Sequence, residues 1–309
     1  LFGLKNAPAY FQRVIQQVFD NNPPHFLALY LDDIIIHSKT FDEHLTHLDF
    51  VFQRLNTFNL KLQPAKCHFF MKQTLYLGHI ITPRGILPDP DKISAVSNYP
   101  VPTTKKQLRA FIGLINYYRR FIPYFSKISK PLHVLASKNT LFTWPKEAQD
   151  SFEKLRYLLT QSPLLVHPDF TAPFILHTDA SDFSLGASLC QTIDDQEHLV
   201  AYGGRALNSA EKNYTTTEKE ILAVVFAIEK FRPFLYGNHF TVMTDHAAIK
   251  SILALKDPKG RLARWVMKLQ DYQFSIIHKA GINNGDADGL SRRQYSDYTN
   301  PIPVCTLNN

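Results

Sequence analysis

Apolar residues recur at steps of three and four in several parts of the chain, which is the spacing that places them on one helix face. Two of these stretches begin with a capping box, Thr40-x-x-Glu43 and Thr104-x-x-Gln107, whose side chains bond the first free backbone N–H groups. Pro123 ends the second stretch. The predicted helices span Ala9–Phe19, residues 40–58, residues 104–122, Ala148–Leu159 and Thr217–Phe231.

Runs rich in β-branched and aromatic residues lie between these helices and predict strands. In the first ninety residues the predicted strands are Phe26–Tyr30, Ile34–Ser38, Leu60–Leu62, His68–Met71 and Thr74–Ile81, followed by a turn at Pro83-Arg84-Gly85. Later in the chain they are Phe174–Asp179, Ser184–Cys190, Leu199–Arg205, His239–Asp245 and Tyr272–His278.

The order of these elements predicts a multidomain chain of mixed α+β and α/β class. We expect an α+β unit over residues 1–90, a helical segment over residues 91–165 and a mixed sheet with helices over residues 170–293. A linker rich in Pro and polar residues precedes the last unit. Residues 294–309 are polar without periodicity, so we expect them to form a flexible tail.

Length and composition agree with several folded domains. The chain has 309 residues, of which 45% are hydrophobic, so two or three cores are expected. Its cysteines, Cys67, Cys190 and Cys305, are far apart, which supports neither a disulfide framework nor a zinc site built on paired cysteines and fits an intracellular, reducing compartment. No apolar run approaches the roughly 18 residues of a membrane span, so no membrane association is expected.

The positive charge is concentrated in one segment. The chain carries 34 Lys and Arg against 27 Asp and Glu, a net charge of +7. Residues 93–146 contain no acidic residue, and without their basic residues the rest of the chain has a slight negative charge. A solvated helix face is the simpler interpretation, but the missing acids favour contact with a phosphate backbone. The candidate contacts are Lys105, Lys106, Arg109, Arg119 and Arg120.

Asp32 and Asp33 lie between two apolar runs, where they either form a hairpin tip or interrupt a buried sheet. Because adjacent carboxylates repel unless a cation neutralises them, a metal site is the functional alternative to a plain turn. Tyr30-Leu31-Asp32-Asp33 resembles the Tyr-x-Asp-Asp box of reverse transcriptases. Residues 2–12, with Phe2 and Gly3, resemble the nucleotide-pocket motif of that family, and residues 76–80, with Leu77 and Gly78, resemble its primer grip. The order and spacing are those of gypsy-type LTR retrotransposons.

A second group of acids lies in the last unit. Asp179 and Asp245 each end a predicted strand, and two strands that bring carboxylates to one sheet edge can form a divalent-ion site. Glu220 shares a helix face with apolar residues, although Thr217-x-x-Glu220 also fits a capping box, and Glu218 competes with it. Asp288 begins a short helix, with Asp286 as its competitor.

These acids, in this order, resemble the ribonuclease H domain of the same gypsy-type elements. The resemblance implies a two-metal site with Mg²⁺, or Mn²⁺ in its place, held by Asp179, Glu220, Asp245 and Asp288. It implies that His278, on the loop, assists proton transfer or product release. The implied activity is endonucleolytic hydrolysis of the RNA strand of an RNA/DNA hybrid.

For the first ninety residues the resemblance implies part of a polymerase palm, followed by a helical thumb. Asp32 and Asp33 would help to bind two Mg²⁺ ions for RNA-directed DNA synthesis, with primed template RNA or DNA and deoxynucleotides as partners. Because the family takes a third Asp from an upstream strand, we expect the chain to be a fragment of a Pol polyprotein whose polymerase site is incomplete here. A cytoplasmic or virus-like-particle location and a dimer are further expectations.

Two other functions fit part of this pattern. An integrase core also carries three acids on a related fold, but it needs a late glutamate, and no Glu follows Asp245. The second alternative is a non-catalytic relic that binds nucleic acid, which the presence of all six candidate metal ligands opposes.

Overall fold

The computed structural model describes residues 5–245 and 259–278. Contacts divide the chain into a first unit that ends at Leu77 and a second unit that begins at Gly78. The domain boundaries expected from the sequence, near residues 90 and 165, stay predictions. Among the described helices, none combines the length and the apolar content that a bilayer crossing needs.

The first unit is a small α+β arrangement around one β-hairpin. Its core contains Ile15 and Val18 from the first helix, Leu27 from the hairpin, and Val51 and Leu55 from the second helix. The predicted capping box of the second helix, Thr40 with Glu43, is present. The elements of this unit are α1 (Ala7–Val18), β1 (Leu27–Tyr30), β2 (Asp33–Ile36), α2 (Phe41–Thr57), a 3₁₀ turn (Pro64–Lys66) and β3 (Thr74–Tyr76).

Two predicted strands of this unit are wrong. Leu60–Leu62 is not a strand, because Asn59 has a positive φ of 52° and the Leu60 N–H returns to Leu55 to close α2. His68–Met71 is not a strand either, because Phe70 has a φ of 56°, which breaks an extended run. A run of apolar residues was therefore not sufficient to predict a strand in the first unit.

The second unit begins with helices and a short sheet. Its first elements are β4 (His79–Thr82), β5 (Gly85–Pro88), α3 (Pro90–Ser97), α4 (Lys105–Tyr117), a 3₁₀ turn (Arg119–Phe121), α5 (Phe125–Ile128), α6 (Lys130–Leu135), α7 (Lys146–Thr160) and β6 (Leu165–Val166). Helix α4 ends earlier than predicted, since Ile122 is extended before Pro123. The predicted turn at Pro83-Arg84-Gly85 is confirmed, and β5 pairs antiparallel with β4 and β6.

A five-stranded mixed sheet forms the rest of the second unit. Strands β7, β8 and β9 are antiparallel, while β10 and β11 run parallel to β7, in the order β11-β10-β7-β8-β9. Its elements are β7 (Phe174–Ala180), β8 (Ser184–Ile193), β9 (Gln196–Ala206), a 3₁₀ turn (Glu211–Asn213), α8 (Thr216–Lys230), α9 (Arg232–Leu235), β10 (His239–Thr244), α10 (Arg261–Leu269) and β11 (Gln273–His278).

Both faces of this sheet are covered. Phe174 and Leu176 of β7 pack with α8 in one core, whereas Ile175, between them, packs on a second core that contains α4 and α7. Because side chains alternate along a strand, the two cores lie on opposite faces of the sheet. The mixed α/β fold predicted from the sequence is confirmed.

Candidate functional site

Two of the predicted acids end neighbouring parallel strands. Met243 of β10 pairs with His177 of β7, and continuing this register by two residues brings Asp245 level with Asp179. Parallel strands present their carboxyl ends at one edge of a sheet. Asp179 is half-buried near the end of β7, and Asp245 is exposed directly after β10.

The third acid, Glu220, comes from α8, which packs against β7. Glu220 is only 6% exposed, and its Oε2 atom is buried without a hydrogen-bond partner in the described part of the chain. A buried carboxylate oxygen without a donor is costly unless a cation or proton reaches it.

The structure separates Glu220 from its competitor, Glu218. Glu218 forms the capping box of α8 with Thr215, and its Oε1 lies 3.5 Å from the Arg261 guanidinium. The alternative role of Glu220, in a capping box with Thr217, is therefore wrong, because the N-cap of α8 is Thr215. Glu220 is therefore not used to cap the helix, and its carboxylate can join the acids at the sheet edge.

The charges of Asp179 and Asp245 act on the Glu220 carboxylate. Burial, then Asp245, then Asp179 raise the pKa of Glu220 to about 8, although the Ala180 backbone N–H opposes this. Burial and Asp245 also raise the pKa of Asp179, against the lowering effects of Lys127 and the Ala180 N–H. Like charges this close require a counter-charge. An all-carboxylate set with an unpaired buried oxygen suits hard divalent ions such as Mg²⁺ or Mn²⁺.

His278 lies beside this cluster as the last residue of β11, not on the loop. Its Nε2 atom is 2.9 Å from the backbone oxygen of Asp245, and Thr244 is its partner in the β10–β11 register. The imidazole is exposed and fixes the backbone that carries Asp245. Three predicted site residues, Phe2, Gly3 and Asp288, lie outside the described residues.

The first unit places Asp32 and Asp33 at a hairpin tip, which decides between the two placements that the sequence left open. Tyr30 pairs with Asp33, and Leu31 takes a φ of 53° in the turn. Both aspartates are exposed. The Leu31 N–H donates to Gln12 Oε1 at 2.6 Å, so α1 holds the tip in place. Gln12 belongs to the motif that resembles a nucleotide pocket. Its hydrogen bond with Leu31 could not be predicted from the positions of the two residues in the sequence.

Leu77 and Gly78 form a tight turn, with φ values of 46° and 66°. Leu77 ends the first unit. In the second unit, the Tyr118 hydroxyl donates to the Gly78 carbonyl at 2.8 Å, and a Cβ at Gly78 would crowd the Tyr117 and Tyr118 rings. Burial, with the charge of Asp89 and the neighbouring Tyr117, raises the pKa of Tyr118 to about 12.

Of the basic residues predicted to contact phosphate, some donate hydrogen bonds within the protein, and Lys106 is exposed to solvent. Lys105 and Arg109 donate to the carbonyl oxygens of residues 136–138, just after α6, and so satisfy a helix end. Arg119 donates to the Gly204 carbonyl of β9 and lies 5.3 Å from the Phe125 ring. Arg120 is half-buried, and burial lowers its pKa, whereas Lys106 is exposed. Phosphate contact by these residues stays a prediction.

Comparisons with known proteins agree with both units. Residues 1–81 match the family described as reverse transcriptase (RNA-dependent DNA polymerase). Residues 169–272 match the RNase H-like domain found in reverse transcriptase.

Curated relatives match along nearly the whole chain. The retrovirus-related Pol polyprotein from transposon 297 of Drosophila melanogaster is 44% identical, over 94% of this chain and 27% of the relative. The corresponding protein from transposon 412 is 40% identical, over 97% and 25%. The Tf2-3 polyprotein of Schizosaccharomyces pombe is 36% identical, over 98% and 23%. The chain thus spans about a quarter of the length of the relatives it matches.

Solved structures share the fold. A foamy viral protease-reverse transcriptase in complex with double-stranded DNA has a TM-score of 0.77 at 24% identity, over 90% of this chain and 50% of that chain. The same viral protein with an RNA/DNA hybrid has a TM-score of 0.74 at 23% identity, over 91% and 39%.

One part of the chain thus matches a reverse transcriptase family and another part matches an RNase H-like domain family. Along nearly its whole length the chain is similar to retrovirus-related Pol polyproteins of transposons, which confirms the resemblance drawn from its motifs.

Proposed function

We propose that the second unit hydrolyses the RNA strand of RNA/DNA hybrids with two divalent metal ions. The observation that carries this proposal is the Glu220 carboxylate, which is buried, has an unpaired oxygen, and lies near Asp179 and Asp245. A purely structural acid would have a donor to its carboxylate, as Glu218 accepts from the Thr215 backbone N–H and hydroxyl. The similarity to Pol polyproteins supports the same activity.

In this proposal Asp179, Glu220 and Asp245 hold Mg²⁺ or Mn²⁺, with Asp288 as a further ligand. The bound ions would supply an activated water and stabilise the leaving 3′ oxygen of the RNA. The chain's own contribution is positioning: β7 and β10 fix two carboxylates at one sheet edge, and α8 presents the third. His278 holds the Asp245 backbone and is near enough to the cluster to exchange a proton with the product.

The proposed substrate is an RNA/DNA hybrid. The foamy viral protease-reverse transcriptase, which shares the fold, was solved in complex with such a hybrid. Selection of RNA over DNA would rest on contacts to 2′-hydroxyl groups across the shallow minor groove. A hybrid also needs cationic contacts along its backbone, for which Lys106 is exposed in α4.

For the first unit we propose a role in RNA-directed DNA synthesis by the longer protein. The exposed carboxylates of Asp32 and Asp33 at the hairpin tip suit divalent ions that bind an incoming deoxynucleotide. Primer extension tests whether this chain polymerises alone. We expect no synthesis by residues 1–309, and robust synthesis would contradict this part of the proposal.

The nuclease is tested by incubating the purified chain with an RNA/DNA hybrid labelled on the RNA strand, in Mg²⁺ or Mn²⁺. We expect metal-dependent cleavage that Asp179→Asn abolishes. Asp195→Asn is the matched control, since Asp195 is an exposed turn residue with a φ of 59°, a conformation that Asn also accepts. Double-stranded DNA of the same sequence should stay intact.

The relic alternative is tested by Asp245→Asn. In an enzyme this substitution should lower the cleavage rate by about a hundredfold or more, as loss of one electrostatic contact in a preorganised site does, while hybrid binding is kept. A folded wild-type chain that binds the hybrid in Mg²⁺ without cleaving it would favour the relic.

A further inference from the structure

Three side chains of different chemistry meet on one face of the five-stranded sheet. His177 lies on β7, Cys190 on β8 and Glu197 on β9. Cys190 pairs with Ile175, two residues before His177, and with Leu199, two residues after Glu197. Residues two apart on a strand point to the same face, so the three side chains share it.

The ligand atoms of these residues are close together. His177 Nε2 is 2.7 Å from Glu197 Oε2, and one N, S and O atom of the three residues all lie within 4.8 Å of one another. Ligand atoms of a tetrahedral zinc site lie about 3–4 Å apart, given metal–ligand distances of about 2.0–2.3 Å. Small side-chain rotations would bring the present arrangement to that geometry.

We propose that His177, Cys190 and Glu197 form a binding site for a thiolate-seeking divalent ion of the zinc class. This site is separate from the carboxylate cluster and independent of the nuclease activity proposed above. A mixed N, S and O donor set favours Zn²⁺ or Co²⁺, whereas Mg²⁺ prefers oxygen alone. The scaffold is preorganised, since three paired strands each supply one ligand.

An ion can reach this site from solvent. The His177 and Glu197 side chains are 12% and 26% exposed, which leaves an entry path from solvent. Of the three ligands, His177 also lines a cavity, together with Ser188, Tyr202 and Asp179.

The alternative is a His–Glu ion pair beside a cysteine that merely fills the core. Cobalt distinguishes the two, because a Co²⁺–thiolate bond gives a charge-transfer absorption that oxygen ligands do not give. The full chain is used with Cys67→Ser and Cys305→Ser, which leaves Cys190 as its only thiol. We expect this absorption to saturate at one ion per chain and Zn²⁺ to abolish it.

Variants assign the ligands. Cys190→Ser should remove the absorption, and Glu197→Gln should weaken Co²⁺ affinity by more than about tenfold, since even an outer-shell partner costs that much. Asp179→Asn should leave the absorption unchanged, which separates this site from the carboxylate cluster. Circular dichroism checks folding, and if Cys190→Ser does not fold, Glu197→Gln carries the test. No absorption in the folded parent chain, or an absorption that Glu197→Gln leaves unweakened, would overturn the proposal.

Discussion

The positive charge of Lys127, on helix α5, acts on the carboxylate of Asp179, on strand β7. Burial and Asp245 raise the pKa of Asp179, and Lys127 opposes them. The helical segment thus reaches the acidic cluster, since Tyr124, just before α5, lines the same cavity as Asp179. Gly186 lies under the Tyr124 ring, and a Cβ there would be 3.5 Å from it, in ordinary van der Waals contact.

We predict that Lys127→Gln increases the affinity of the cluster for Mg²⁺, because the ammonium repels a divalent ion. The effect should be about threefold, since an exposed charge contributes less than about 1 kcal/mol. Calorimetric titration of the chain without nucleic acid measures it directly. Lys212→Gln, an exposed lysine in the 3₁₀ turn before α8, is the control. An unchanged or weaker Mg²⁺ affinity in the Lys127 variant would count against this electrostatic interaction.

Glu220 should make the metal-free protein less stable at high pH. Burial, Asp245 and Asp179 raise its pKa in the folded state from 4.5 to about 8, so the folded chain holds a proton that the unfolded chain releases. The free energy of unfolding therefore contains a favourable contribution below pH 4.5 that is lost as the pH rises toward 8. Thermal unfolding in a chelator across this range measures the loss, and added Mg²⁺ should reverse it.

Glu220→Gln tests the cause of that slope. The neutral amide keeps the shape without the charge, so the metal-free variant should have a flatter stability profile and a higher melting temperature at pH 8. Glu218→Gln is not a suitable control for this variant, because Glu218 caps α8 and its loss would destabilise the helix. If the Glu220 variant kept the full pH slope, the instability would arise from another group.

The sequence predicts those features of the fold and of the site that depend on residues close together in the chain. The strands that end at Asp179 and Asp245 were predicted, because strands have a recognisable residue pattern with a period of two. The capping box at Thr40 was predicted as well. The resemblance already favoured Glu220 over Glu218. The capping role of Glu218 needed the true start of α8, which sequence patterns fix only to within a residue or two. The grouping of Cys190 with His177 depends on strand register, which no spacing within the sequence reveals.

A glycine pair offers a test of the packing in the second unit. Gly85 has a φ of 153°, and a Cβ there would clash with the Leu165 carbonyl oxygen across the β5–β6 pair. Gly85→Ala should therefore lower the free energy of unfolding by about 2–4 kcal/mol. Gly113 lies in α4 with open space around it, so Gly113→Ala should raise that energy by about 0.5–1 kcal/mol. Chemical denaturation compares the two, and equal effects would contradict the close approach at Gly85.

The basic segment should separate into residues that bind nucleic acid and residues that support the fold. Lys106 is exposed on α4, so Lys106→Ala should weaken hybrid binding and reduce the salt dependence of log K by about one. Its free energy of unfolding should change by less than about 0.5 kcal/mol.

Arg119 is the counterpart, because it joins the helical segment to the sheet through the Gly204 carbonyl and packs on Phe125. Removing that charged donor from a half-buried position should lower the free energy of unfolding by about 1–3 kcal/mol. Hybrid titrations at several salt concentrations, together with denaturation curves for Lys106→Ala and Arg119→Ala, give both quantities. If Arg119→Ala lowered the salt slope without lowering stability, its bond to Gly204 would not matter in solution, and the sequence prediction of a phosphate contact would gain support over the structural role.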